Sequence, residues 1–88
     1  MKKIIEVSDE GFDGLLGKRV LIMTAGYFYE GILEGVNKSF IKITDAHIVY
    51  ETGKFSDLDY KDRQKLHQND WYLQLGLIES YGLSKLSK

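Results

Sequence analysis

The sequence predicts a mainly β domain, a short N-terminal helix followed by a five-stranded, strongly bent open barrel. Three observations carry that expectation. The chain has 88 residues, enough for a single domain. From Lys18 onward, β-branched and aromatic runs alternate with the tight-turn sequences Ala25-Gly26 and Asn37-Lys38-Ser39. Two of those runs also carry features that bend strands: Gly31 and Gly35 in one, and a change of apolar phase in the next.

Taken in order, SDEGFDGLLG reads as a helix over 8–16. Ser8 or Asp9 caps it, acids occupy its first turn, and Phe12, Leu15 and Leu16 form its apolar face. Gly17 stands where a helix C-terminus favours glycine. The first three strands fill 18–52. KRVLIMT is the first of them, and 27–36 the second. In the second, Tyr29, Gly31, Leu33 and Gly35 share one face and Phe28, Glu30, Ile32 and Glu34 the other. Omitting side chains at both glycines lets the strand curl, as a small barrel requires. In FIKITDAHIVYET the apolar residues move from Ile41 and Ile43 to Ala46, Ile48 and Tyr50, which implies a bulge or kink near Asp45. A long charged segment, 53–70, is either a functional loop or a partly helical excursion. The last strands fall within 71–86: WYLQLGLI, apolar on both faces, and then a short strand in SYGLSKL before a frayed tail.

Composition narrows the function. A domain this small has a marginal core, and disulfides, a metal or oligomerisation are the usual remedies. The chain has no Cys, which removes disulfides and thiolate metal sites, so a homo-oligomer is expected, with a marginal monomer as the alternative. MKKIIEVSDE resembles neither a signal peptide nor a membrane span, and a cytoplasmic protein without a membrane partner is the expectation. A net charge of −1 and a pI near 6.1 argue against a general polyanion binder, so any nucleic-acid site must be local.

With these residues in view, GKRVLI followed by GYFYEGILEGVN resembles the first motif of the Sm, LSm and Hfq superfamily. Gly26, Tyr29, Gly31 and Leu33 match the family's bent second strand without a gap. Gly35-Val36-Asn37 stands where the family has a small residue, an apolar one and usually Asp, and FIKITDA continues as its third strand does. The likeness covers residues 8–50 and points to a divergent member of bacterial or phage type. Other SH3-like barrels share a similar glycine pattern. Two departures stand out. The family's Asp-x-aromatic-x-Asn loop is replaced by Asn37-Lys38-Ser39-Phe40-Ile41, with the aromatic one place late and the final Asn missing. The second motif survives only as echoes in Tyr72-Leu73-Gln74 and Leu75-Gly76.

The resemblance implies the Sm fold, a homo-oligomeric ring of about five to seven subunits, and single-stranded RNA bound near the central opening. Carried over residue by residue, it implies an RNA site of Asn37, Lys38, Ser39, Phe40, Gln74 and Gly76. Phe40 is open to two readings, a stacking ring or a core side chain at the start of a buried strand. Tyr27 and Phe28 are likewise either a stacking surface or a subunit contact. The alternative function is an oligomeric SH3-like barrel that serves as a protein-interaction scaffold without nucleic acid.

No enzyme is expected, since there is no nucleophile elbow, phosphate-binding glycine loop or Cys nucleophile. No cofactor is implied. Asp45 and His47 could project together as metal ligands, but no third ligand stands near them in sequence, so a surface pair is expected. His67 with Asp57, Asp59 and Asp62 reads as a charged loop rather than an acid–base group.

Overall fold

The computed structural model describes residues 10–87. The chain runs through a 3₁₀ turn at Asp13–Leu15, β1 (Arg19–Thr24), β2 (Phe28–Val36), β3 (Phe40–Glu51), β4 (Asp62–Lys65) and β5 (Trp71–Gln74). A second 3₁₀ turn at Leu75–Leu77 leads into β6 (Ile78–Leu83). The strands form one antiparallel sheet ordered β4-β3-β2-β1-β6, with β5 paired to β3 off that path. The length of β3 allows this. Its first residues, Phe40 to Ile43, pair β5, and its last, His47 to Glu51, pair β4. The sheet is strongly bent and does not close into a barrel.

Two bulges of opposite sense produce the bend in the β2–β3 ladder. Glu30 pairs with His47 and Ile32 with Thr44, so Gly31 faces two residues of β3, Asp45 and Ala46. Asp45 takes φ 48°, and is the only non-glycine residue with positive φ among those described. Asp tolerates that region better than most residues, so the bulge sits where the sequence permits it. Farther along, Leu33 pairs with Ile43 and Gly35 with Lys42, leaving Glu34 as the extra residue on β2. Each bulge adds local twist, and the second restores the register lost at the first.

Gly31 is required by close approach: a Cβ there would lie 2.8 Å from the Thr44 carbonyl oxygen and 3.3 Å from the Ile43 side chain. Gly35 is different. Among the described residues a Cβ on it would meet nothing within 4 Å. The expectation that both glycines relieve crowding on one face holds for Gly31 and is corrected for Gly35. Glu34, the inserted residue, interrupts the alternation on which the shared face depended.

One face of the sheet holds the main core of Val20, Ile22, Leu33, Ile41, Ile43, Ala46 and Leu73, with Phe12, Leu15, Tyr29 and Trp71 packed around it. Each fully buried Ile or Leu side chain contributes about 1.5–3 kcal/mol. The opposite face carries a smaller cluster of Leu21, Val49 and Tyr60, with Met23, Phe28 and Leu86 against it.

Three elements differ in detail from the sequence reading. The N-terminal helix is one 3₁₀ turn, with Phe12 stacked on Tyr81 at 3.8 Å, while Leu16 is exposed. The caps proposed at Ser8 and Asp9 lie outside the described residues. The charged segment 53–70 contains no helix; it delivers Tyr60 to the second cluster and then forms β4. WYLQLGLI divides at Leu75, and the final strand begins at Ile78. Beyond it the tail is docked: Ser84 is buried, its hydroxyl lies 3.0 Å from the Tyr60 hydroxyl, and Lys85 Nζ donates to the carbonyls of Thr52 and Lys54.

Candidate nucleic-acid interface

The β2–β3 turn is built by Asn37. Its Oδ1 accepts hydrogen bonds from the backbone N–H groups of Ser39 (2.8 Å) and Phe40 (2.9 Å), and its own N–H donates to Phe40 O (3.0 Å). Asn closes such turns by mimicking a backbone carbonyl. The Oδ1 atom is therefore spent on the turn, leaving Lys38 and the Ser39 hydroxyl as its outward polar groups. Asn37, Lys38 and Ser39 are all exposed.

Phe40 lies at the surface with 36% of its area exposed, not in the core. Its ring meets Tyr72 edge to face at 5.5 Å, and Tyr72 is itself 55% exposed. In the β3–β5 ladder Phe40 stands opposite Gln74 and Lys42 opposite Tyr72. Leu75 N–H then donates to Ser39 O at 2.9 Å, tying the second 3₁₀ turn to the first hairpin, with Gly76 next in the chain. The six residues singled out in the sequence thus share one exposed surface. Tyr72 and Lys42 join them. Lys42 is held 3.5 Å from Asp70, a solvent-exposed pair worth little.

The strongest electrostatic feature lies elsewhere, around Glu30. Its side chain has no exposed area, and Arg19 grips it with two parallel hydrogen bonds of 2.8 Å, Nε to Oε2 and Nη2 to Oε1. Arg63 Nη1 adds a third at 3.0 Å, from β4. Arg19 Nη1 also reaches Asp45 Oδ2 at 2.9 Å, and Lys65 Nζ reaches Asp45 Oδ1 at 2.9 Å. His47 Nδ1 lies 2.8 Å from Asp45 O and 4.0 Å from Glu30 Oε1. Asp45 and His47 therefore belong to a half-buried ion network rather than to an isolated surface pair.

Burial works to raise the Glu30 carboxyl, but the Arg19 hydrogen bonds, the Ser84 hydroxyl and the charges of Arg19 and Arg63 outweigh it and hold it below its usual value. Asp45 is held down to about 2, chiefly by its hydrogen bond to Lys65 and also by Arg19. Arg19 is raised in turn, first by its bonds to Glu30. The sequence concealed this network because alternation marks Glu30 as an outward residue. The available signal was an acid between the apolar or small residues Tyr29 and Gly31 of β2, paired across the hairpin with Leu21.

Elsewhere, Tyr27 meets Tyr50 edge to face at 6.3 Å, and His67 meets Trp71 at 5.5 Å. Asp57 and Asp59 accept local backbone N–H bonds and Asp62 one from Gln64, so none converges on His67. Among the described residues no group of three His, Cys, Asp or Glu side chains is placed to hold a metal, and no helix is long and apolar enough to cross a membrane.

A short N-terminal helical turn followed by a strongly bent, open antiparallel sheet resembles the general Sm-like fold class. Compared with known proteins, the sequence matches no family model and no curated protein.

Proposed function

We propose that the protein is a ring-forming, Sm-like binder of single-stranded RNA, acting in the cytoplasm and without enzymatic activity. The observation that carries this reading is the meeting of the 37–40 turn with Gln74 and Gly76 on one exposed surface. That surface offers what a single strand needs: the Lys38 ammonium for a phosphate, and the exposed Phe40–Tyr72 pair for stacking a base. With net charge −1 the whole chain attracts a polyanion poorly, so repetition of the site around a ring supplies the missing affinity through avidity. The free margins of the sheet, β6 on one side and β4 and β5 on the other, offer backbone groups for subunit pairing.

Mobility shift with uridine-rich and adenine-rich single strands tests the reading, with Lys38→Ala as the control for the site. Lys38→Ala weakens binding and lowers its salt dependence if the turn holds phosphate. Light scattering tests the ring, and a mass near 10.1 kDa at micromolar concentration contradicts it.

One observation favours a protein-interaction scaffold instead. A groove beside β6 is lined by Leu21, Met23, Tyr60, Leu83 and the exposed ring of Phe55. Assembly into an oligomer with no RNA bound at low salt selects that reading.

A further inference from the structure

We propose that a cleft between β5, the second 3₁₀ turn and the adjoining ends of β1 and β2 holds one unpaired nucleobase. The inference rests on the RNA-binding reading and extends the site to side chains beyond the 37–40 turn. The cleft has a volume of about 270 Å³ and is lined by Thr24, Tyr29, Trp71, Tyr72, Leu73, Gln74 and Leu77. Pockets for drug-sized ligands begin at roughly 300 Å³, so this one suits a single planar ring system rather than a larger molecule.

Its lining is chemically selective. Three of the seven residues are aromatic, and every nucleobase presents a π-face to stack on them. Gln74 supplies both an amide donor and a carbonyl acceptor, the combination that matches the edge of an unpaired base. Every buried polar side-chain atom among the described residues has a partner, and Gln74 is an exposed residue whose amide faces solvent or a ligand. Burial raises the Tyr29 hydroxyl above its ordinary value, with Tyr27 and Tyr50 adding to the effect. Tyr29 thus remains a protonated donor at neutral pH. Thr24 is engaged differently: its hydroxyl donates to Tyr27 O at 2.6 Å and fixes the β1–β2 turn that forms one wall.

Position links the cleft to the turn. Tyr72 lines the cleft and also meets Phe40, while Gln74 lies opposite Phe40 in the ladder. A strand crossing β5 can therefore place one base on Phe40 and a neighbouring base in the cleft. All seven lining residues belong to one chain, so the cleft is complete without a neighbouring subunit.

Trp71 is the sole tryptophan, so its emission reports on the cleft directly. The experiment titrates the full chain with dye-labelled uridine-rich and adenine-rich oligoribonucleotides, following dye anisotropy and Trp71 fluorescence together. Trp71 emission is expected to quench with the same midpoint as the anisotropy rise. Tyr72→Ala should weaken both by about fivefold or more, the least that loss of a stacking ring causes. Gln74→Ala, which removes only the amide, should shift the preference between the two RNAs. Lys38→Ala should lower affinity yet leave the quenching at saturation unchanged. RNA binding with unaltered Trp71 emission, or an unchanged midpoint in Tyr72→Ala, overturns the cleft and leaves RNA binding standing. No anisotropy change with the parent protein overturns both.

Discussion

On one face of the sheet, Val20, Ile22, Leu33, Ile41 and Ile43 pack with no exposed area and no polar group among them. The opposite face, reached by the alternate residues of the same strands, has Leu21 and Val49 beside the fully buried carboxylate of Glu30. The first face tolerates exchange of one aliphatic group for another of similar volume. The second does not, because its charges are satisfied only as a set. Glu30 draws Arg19 from β1 and Arg63 from β4, so this carboxylate fastens the short polar β4 to the sheet. β4 has no buried residue of its own, so this ionic contact supplements its backbone pairing with β3.

Breaking that set should have the largest effect. Glu30→Ala leaves Arg63 without its acid and Arg19 with Asp45 alone, and is expected to cost about 3–5 kcal/mol by urea denaturation, more than Leu33→Met on the other face. Glu30→Gln keeps the shape and part of the hydrogen bonding, and should lie between them.

The same contrast appears along the pH axis. Glu30 and Asp45 are both held below their unfolded values of about 4. Their contribution is complete above that pH and is lost as pH falls through the native values, toward about 2 for Asp45. Urea midpoints for the parent protein should therefore fall steeply between about pH 4 and 2. Glu30→Gln should flatten that fall, and an equal slope in both proteins would separate acid sensitivity from Glu30.

A smaller difference separates the two glycines of β2. Gly31→Ala pushes a methyl against the Thr44 carbonyl and should cost about 1–3 kcal/mol, with Gly31→Val worse. Gly35→Ala enters open space and should stay within about 0.5 kcal/mol of the parent. Equal effects at the two positions would place the bend elsewhere. On the second face, Tyr60→Phe removes the hydroxyl that meets Ser84 and should cost about 0.5–1.5 kcal/mol.

These contrasts also explain which parts of the fold were legible in the sequence. The strands of the apolar face announced themselves, because burial on one side produces alternation. The bulge at Asp45 was visible for the same reason, as a break in phase from Ile43 to Ala46. β4 was not, since DRQK is a polar margin strand whose pairing depends on β3 rather than on its own pattern. Nor was the break in WYLQLGLI, where leucines on both sides of Gly76 fit a strand and a 3₁₀ turn equally well. Of the candidate interface, the turn and the 74–76 segment were named from resemblance, and the β3–β5 ladder places them together. The exposure of Phe40 could not be read from its position at the head of an apolar strand, because it depends on the pairing with β5.

Phe40 also offers the most direct test of the function. Fluorescence anisotropy of a labelled single-stranded RNA should be measured at low and at moderate salt for the parent protein and Phe40→Ala. The ring is exposed, so its removal leaves the core intact. The account predicts measurable binding by the parent and a loss of about fivefold or more in the variant, as expected when one stacking ring is removed. Absence of binding by the parent at low salt, or identical curves for the two proteins, would contradict it.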